Sequence, residues 1–159
     1  MAIKKFPTGA YGRQTLQFFP APFKAPLRAF AALIFPFYEG KVVLANIIDR
    51  GWCIPSGRVE PNEHSCQAAK REAKEESGAI IECAQYIGCY RICERCEVRW
   101  ADAYVANVKE FGEILVPEES LGMKIVTLEE LPEIYYDWNE LTAAVFEHAI
   151  EIIERSNKL

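Results

Sequence analysis

The stretch GRVEPNEHSCQAAKREAKEESGA, Gly57 to Ala79, decides how the rest of the chain is read. After Pro61 the pattern turns from loop to helix. Asn62 is the expected N-cap, Glu63 falls in the first turn, and Gly78 stands where a left-handed residue commonly ends a helix, so the spacing predicts a helix over 64–77. At about 100° per residue, Glu72 shares a face with Glu75 and Glu76. Like charges at these spacings repel by ~0.2–0.5 kcal/mol per pair, and the last two turns also carry the negative end of the helix dipole. That placement is unfavourable for a merely solvated face. It suits a hard divalent cation such as magnesium or manganese, whose preferred ligands are carboxylate oxygens. Arg71, four residues before Glu75, can hold that carboxylate from the other side, and the small Cys66, Ala69 and Ala73 let the helix lie close against a sheet.

Upstream, Arg13 to Phe19 and Arg28 to Phe37 have the apolar and aromatic density of strands, separated by a proline-rich turn from Pro20 to Pro26. Tyr38, Glu39 and Gly40 read as a hairpin connection into a third strand, Lys41 to Ile48, followed by a short Trp52 to Ile54 segment. Downstream, Ile80 to Ile92 and Glu97 to Val108 read as strands joined near Cys93 to Cys96, with a last short strand at Lys124 to Leu128. From Trp138 to Ile153 the apolar Leu141, Val145, Ala149 and Ile152 recur at helical spacing, with Glu140, Glu147, Glu151 and Glu154 off that stripe. His148, beside the stripe, reads as a packed side chain more than as a catalytic base. Together these elements predict an α/β (α+β) fold, a mixed β-sheet sandwiched between helices.

With 159 residues, 50% hydrophobic and 26% charged, the expectation is one domain over 1–159 with a buried core. The net charge of -5 supplies no general basic field for a nucleic-acid backbone, so no DNA partner is expected. Lys4, Lys5, Arg13, Lys24 and Arg28 read as a solvated basic face. The longest apolar run, Ala29 to Tyr38 broken by Pro36, is about half the length of a membrane span, and residues 1–20 lack the pattern of a secretory leader. No membrane partner and a cytoplasmic location are therefore expected. The six cysteines, Cys53, Cys66, Cys83, Cys89, Cys93 and Cys96, are expected as free thiols, with a structural zinc on Cys89, Cys93 and Cys96 as the alternative.

The full spacing is Gly57, five residues, Glu63, seven residues, Arg71-Glu72-Ala73, one residue, Glu75-Glu76, one residue, Gly78-Ala79. It resembles the complete Nudix box. Ala73 and Ala79 stand where that family usually has larger aliphatics, and Ser56 where a second glycine often precedes Gly57. The resemblance implies the Nudix fold and a metal-dependent hydrolase that cleaves the diphosphate linkage of a nucleoside diphosphate derivative by water attack at phosphorus. It implies Glu72, Glu75 and Glu76 as ligands of magnesium or manganese, with the Ser56 carbonyl as a further ligand. Gly57, Glu63 and Gly78 are then structural members of the box: Gly57 permits the turn and Glu63 braces the loop. The proton acceptor is either Glu72 or a loop carboxylate, Glu119 or Glu118. Phe18, Phe19, Phe35 and Tyr90 are candidates for stacking on a base, with core packing as their alternative. Asp49-Arg50-Gly51-Trp52 leading into Pro55 also resembles bacterial members that act on nucleoside triphosphates, oxidised guanine nucleotides included. The alternatives are removal of diphosphate from an RNA 5′ end and a non-catalytic nucleotide-binding sensor; the intact carboxylates argue against the latter. Homodimers are common in the family, and no feature of the sequence demonstrates one.

Overall fold

The structure is a computed structural model and describes residues 4–158, so the chain's first three residues, where the leader reading begins, and Leu159 lie outside the description. A sheet of nine strands forms its centre. The strands are β1 (Gly9–Tyr11), β2 (Gln14–Pro20), β3 (Ala31–Tyr38), β4 (Lys41–Ile47), β5 (Gly51–Cys53), β6 (Ser56–Arg58), β8 (Ala84–Glu94), β9 (Glu97–Asn107) and β11 (Ser120–Val126). Their order is β1-β2-β8-β9-β3-β4-β11, with β5 added to β4 and β6 to β3. The sheet is mixed because β3 and β9 run parallel, Ala31 opposite Ala101 through Phe37 opposite Asn107, while the other pairings are antiparallel. Helix α1 (Ser65–Ser77) lies on one face and α3 (Glu140–Asn157) on the other; a short α2 (Leu131–Ile134) precedes α3.

Strand alternation divides the core between these faces. Ile34 and Val43 point to α1 and pack with Ala68, Ala69, Ala73, Tyr104 and Ala106. Phe35 and Leu44 point the other way and pack with Leu141, Val145, Phe146 and Ala149. The β3–β4 turn is a two-residue hairpin in which Glu39 (φ 50°) and Gly40 (φ 78°) are both left-handed, matching the sheet's twist.

Local chemistry moves four of the expected boundaries. Asn62 is not the cap of α1: it sits at φ 65° in the preceding turn, and His64 caps instead. The Cys66 N–H donates to His64 Nδ1 (3.1 Å), and the His64 N–H donates to Gln67 Oε1 (2.8 Å). The expected strand from Ile80 to Ile92 is divided. β7 (Ala79–Ile80) leaves the main sheet to pair with β10 (Glu110–Phe111), and β8 starts only at Ala84. β11 begins at Ser120, four residues before the expected Lys124, because a register shift between Ser120 and Met123 breaks its alternation. In α3 the buried stripe ends on Ile153 rather than Ile152, and Asn139 accepts the Thr142 N–H as N-cap.

Candidate active site

β6 pairs with the first residues of β3, Gly57 opposite Ala32, and so holds the start of the box against α1. There Glu72 and Glu76, one turn apart, are 8% and 4% exposed, turned towards the sheet with Ala69 and Ala73; Glu75 is half-buried. The Ser56 N–H donates to Glu76 Oε1 (3.0 Å), and Ser120 Oγ donates to the Glu76 carbonyl oxygen (2.7 Å). Among the described residues no cation is ion-paired with Glu76. Burial pushes its carboxyl up to about 7, against the Ser56 hydrogen bond, while Glu72 and Glu119 add to the rise and Arg50 opposes it. Burial also raises Glu72, opposed by Arg71.

Arg71 is the hub of the box. Its Nε and Nη2 donate to the two oxygens of Glu63 (2.9 and 3.1 Å), Nη1 donates to Glu72 (2.8 Å) and Glu75 (3.2 Å), and Nη2 also reaches the Arg58 carbonyl (2.9 Å). Glu63 in turn accepts the Glu60 N–H (3.0 Å), and Arg71 holds its carboxyl below the usual range. Glu63 thus ties the loop to the helix, away from the Glu72–Glu76 pair.

Gly57 and Gly78 are glycines for different reasons. Gly57 is not in a left-handed turn, contrary to the turn-forming role expected of it; a Cβ there would overlap the Glu72 carboxyl. Gly78 is left-handed (φ 75°), donates to the Lys74 carbonyl (3.0 Å), and the Gly112 carbonyl oxygen fills the space a Cβ would need.

The glutamate pair opens into a cleft of about 430 Å³ lined by Asp49, Arg50, Ser56, Arg58, Glu118 and Glu119. The exposed Glu119 is held in place by its backbone: its carbonyl accepts the Ile48 N–H (2.8 Å) and its N–H donates to Val116 (2.9 Å). Arg50, Ser56, Gly57 and Arg58 also line a second pocket of about 390 Å³ on the α3 face of the sheet, so the two spaces share a wall. Tyr90, Phe35, Tyr11, Tyr135, Tyr136 and Asp137 border this second pocket. Of the four aromatic candidates, only Phe35 and Tyr90 reach it. Phe18 packs against Phe6 (4.8 Å) and Tyr90 (5.0 Å), and Phe19 lies on the other face beside Phe23 (4.9 Å). His148 is a packing residue, its Nε2 3.0 Å from the Ile87 carbonyl and its ring against Phe6 and Phe18.

Tyr11, Tyr135, Tyr136, Asp137, Arg58 and Arg99 were not singled out by the sequence, although all line the pocket. Tyr135 and Tyr136 arrive through one isolated bridge to Trp52 and the Tyr136 N–H donating to the Trp52 carbonyl (2.9 Å), a pairing with no local signal.

The donor set fits a divalent ion. Two desolvated carboxylates, one without any cationic partner, are costly unless a cation joins them. Among the described residues no three His, Cys, Asp or Glu side chains form a ready cage. Glu72 and Glu76 leave the site open, as suits an ion that keeps waters and substrate phosphates in its shell. The cysteines do not converge: all six are free, and Cys89 and Cys93, four residues apart on β8, are roughly 13 Å apart at the rise of a strand. A shared zinc on Cys89, Cys93 and Cys96 has no geometric support.

A mixed sheet carrying a loop–helix–loop with buried glutamates at an open cleft defines the class. The family model described as "NUDIX domain" matches residues 27–147, more than half of the chain, and the chain belongs to that family. Over 96 residues it is 35% identical to the Bacillus subtilis (strain 168) protein named "Putative 8-oxo-dGTP diphosphatase YtkD", a match spanning 60% of each chain. Its fold is similar to the crystal structure of the Bacillus subtilis pyrophosphohydrolase BsRppH, with a TM-score of 0.74 and 24% identity over 98% of both chains. It is also similar to a MutT NUDIX hydrolase from Burkholderia pseudomallei, with a TM-score of 0.60 and 19% identity over 79% of this chain and 97% of that one. Family members generally use divalent metal ions. No helix among the described residues is long and apolar enough to cross a membrane.

Proposed function

We propose that this chain hydrolyses a phosphoric anhydride of a nucleoside triphosphate, oxidised guanine nucleotides included, with magnesium or manganese as its cofactor. The observation that carries this reading is the Glu72–Glu76 pair, nearly buried at the mouth of a cleft, with no cation among the described residues paired to Glu76. Glu72, Glu76 and the Ser56 carbonyl would hold the ion, with Glu75 beside them. When bound, the ion neutralises phosphate oxygens and lowers the pKa of the attacking water. The chain's own residues do the rest. Arg71 fixes the orientation of Glu72 and Glu75, and Arg50 and Arg58, lining both spaces, meet the phosphates between base and cleft. Either Glu72 or Glu119 takes the proton of the attacking water.

The name of the Bacillus subtilis relative supports the triphosphate reading, and the free state of all six thiols fits work in the cytoplasm. Removal of diphosphate from an RNA 5′ end is the second reading; Arg50, Arg58 and Arg99 along the open pocket favour it. The test is release of phosphate and diphosphate from nucleoside triphosphates, dinucleoside polyphosphates, nucleotide sugars and triphosphorylated RNA, wild type against Glu76→Gln. Metal-dependent turnover lost in the variant supports hydrolysis. Tight nucleotide binding without turnover of any compound would instead mark a sensor. Faster, salt-sensitive turnover of the RNA would favour the second reading.

A further inference from the structure

The carboxyl end of α1 is closed by a distant part of the chain. α1 ends at Ser77, and the carbonyls of a last helical turn have no following turn to accept from. Three carbonyls at this end are taken by the segment 112–120. The Leu115 N–H donates to the Glu75 carbonyl (3.0 Å), the Gly112 N–H to the Gly78 carbonyl (2.7 Å), and Ser120 Oγ to the Glu76 carbonyl (2.7 Å). The first two donors are main-chain groups that almost any residue supplies. The third is a side chain, 3% exposed, and among the described residues it makes the one side-chain hydrogen bond between α1 and residues 112–126.

An irregularity in β11 puts Ser120 there. Met123 and Ile125 pack into the cluster on the α1 side, and in an unbroken strand a residue three before Met123 would face the other side of the sheet. The register shift between Ser120 and Met123 brings Ser120 to the α1 side as well, while Leu121 stays 68% exposed. Glu76 is thus held at two points. The Ser56 N–H from β6 fixes its carboxylate and the Ser120 hydroxyl from β11 fixes its main chain. Ser120 also directly follows Glu119, whose carbonyl accepts the Ile48 N–H, so one hydroxyl ties α1 to both stretches that border the cleft, 47–50 and 118–119.

We propose that Ser120 is a positioning residue of the active site, its hydroxyl fixing the main chain of Glu76 so that the Glu76 carboxylate stands where a divalent ion is held. This rests on the metal-dependent reading above and gives that site a support outside the Gly57 to Ala79 stretch. A small hard ion tolerates little error in the placement of its oxygen ligands, and partners that orient a ligand matter nearly as much as the ligand. Ser77 supplies the control for a purely structural role. Its buried Oγ donates to the Ala73 carbonyl (2.6 Å) at the same end of α1, and its hydrogen bonds stay within residues 73–79.

The experiment is binding of manganese alone, without nucleotide, to the full chain by calorimetry, for the wild type, Ser120→Ala, Ser120→Thr and Ser77→Ala. Melting in chelator and GTP turnover over a range of magnesium concentrations are measured on the same proteins. Both alanine variants lose a buried hydroxyl and should melt a few degrees lower. Only Ser120→Ala should bind manganese about tenfold or more weaker, and need about tenfold more magnesium for half-maximal turnover, with KM for GTP at saturating magnesium little changed. Ser120→Thr keeps the hydroxyl and should bind manganese nearly as the wild type does. Should Ser120→Ala fail to fold, Ser120→Cys, a weak donor of similar shape, replaces it with the same expected loss. Unchanged manganese binding in the folded variant, an equal loss in Ser77→Ala, or a threonine variant that melts like the alanine variant and binds no better overturns the assignment. Weakened manganese binding in Ser120→Ala with no turnover by any of the proteins keeps Ser120 and defeats the hydrolase reading; metal-dependent turnover equal in wild type and Ser120→Ala does the reverse. A wild type that binds no manganese overturns both.

Discussion

Gly57 and Glu72 share one space: a Cβ on residue 57 would overlap the carboxyl carbon and Oε1 of Glu72. β6 is held to β3 by the Gly57–Ala32 pairing, so the side chain has to give way before the strand does. Gly57→Ala should therefore displace the Glu72 carboxyl by about 1 Å and lower kcat about 10²-fold, the usual cost of such a misplacement. Steady-state kinetics at saturating metal checks this. Wild-type turnover in the variant would mean that Glu72 has freedom its packing does not suggest.

Arg71 serves Glu63, Glu72 and Glu75 at once, and only a planar guanidinium can present that many donors in fixed directions. Arg71→Lys keeps the charge and loses the fork. The partly buried network then loses about 2 kcal/mol, or about 4–8 °C in Tm for a chain of this size, and turnover falls with it because Glu72 and Glu75 lose their clamp. Calorimetric melting of both proteins tests this; a shift under 1 °C would show that a single ammonium suffices.

What could be read from the sequence was what local periodicity encodes. The α1 helix, the Glu39–Gly40 hairpin and the strands around them each carry their own signal in adjacent residues, and the glutamate spacing pointed to a metal before any fold was considered. Burial of Glu72 and Glu76 was hidden, because an acidic helix face normally faces solvent and only the approach of Gly57 turns it inward. The pocket was hidden for a different reason. Tyr11, Tyr90 and Tyr136 meet through pairings between residues far apart in sequence, and nothing in the neighbourhood of Tyr135 and Tyr136 announces their pairing with Trp52. His64 escaped as a cap because histidine is an uncommon one; the Gln67 three residues later was the usable clue.

Glu76 makes the metal-free chain pH-sensitive. Its folded pKa is about 7 against 4.5 for an ordinary glutamate, so between these values the folded chain holds a proton that the unfolded chain has released. Stability therefore falls as pH rises from about 4.5, and the loss is complete above about 7, amounting to about 3 kcal/mol. His148, whose pKa burial lowers, works oppositely by adding stability as pH rises through 6.5, so the comparison must be with Glu76→Gln, which shares that histidine. In chelator, denaturation midpoints of the two proteins should nearly coincide at pH 5, with the variant the more stable at pH 8. Magnesium at pH 8 should stabilise the wild type more than the variant. A gap that does not widen with pH would show that Glu76 stays charged without penalty.

Glu118 and Glu119 border the same cleft, yet only Glu119 is close enough to raise the pKa of both Glu72 and Glu76. Its backbone is fixed by the Ile48 N–H, and it borders the cleft into which Glu72 and Glu76 open. If Glu119 accepts the proton, Glu119→Gln lowers kcat about 10²-fold or more with KM little changed, and Glu118→Gln leaves both nearly unaltered. If Glu72 accepts it, both loop variants keep most of their activity and only Glu72→Gln collapses. The pH–rate profile distinguishes loss of a base from loss of a metal ligand. A missing base removes the acidic limb of the profile at any metal concentration, whereas a missing ligand is partly restored by raising magnesium.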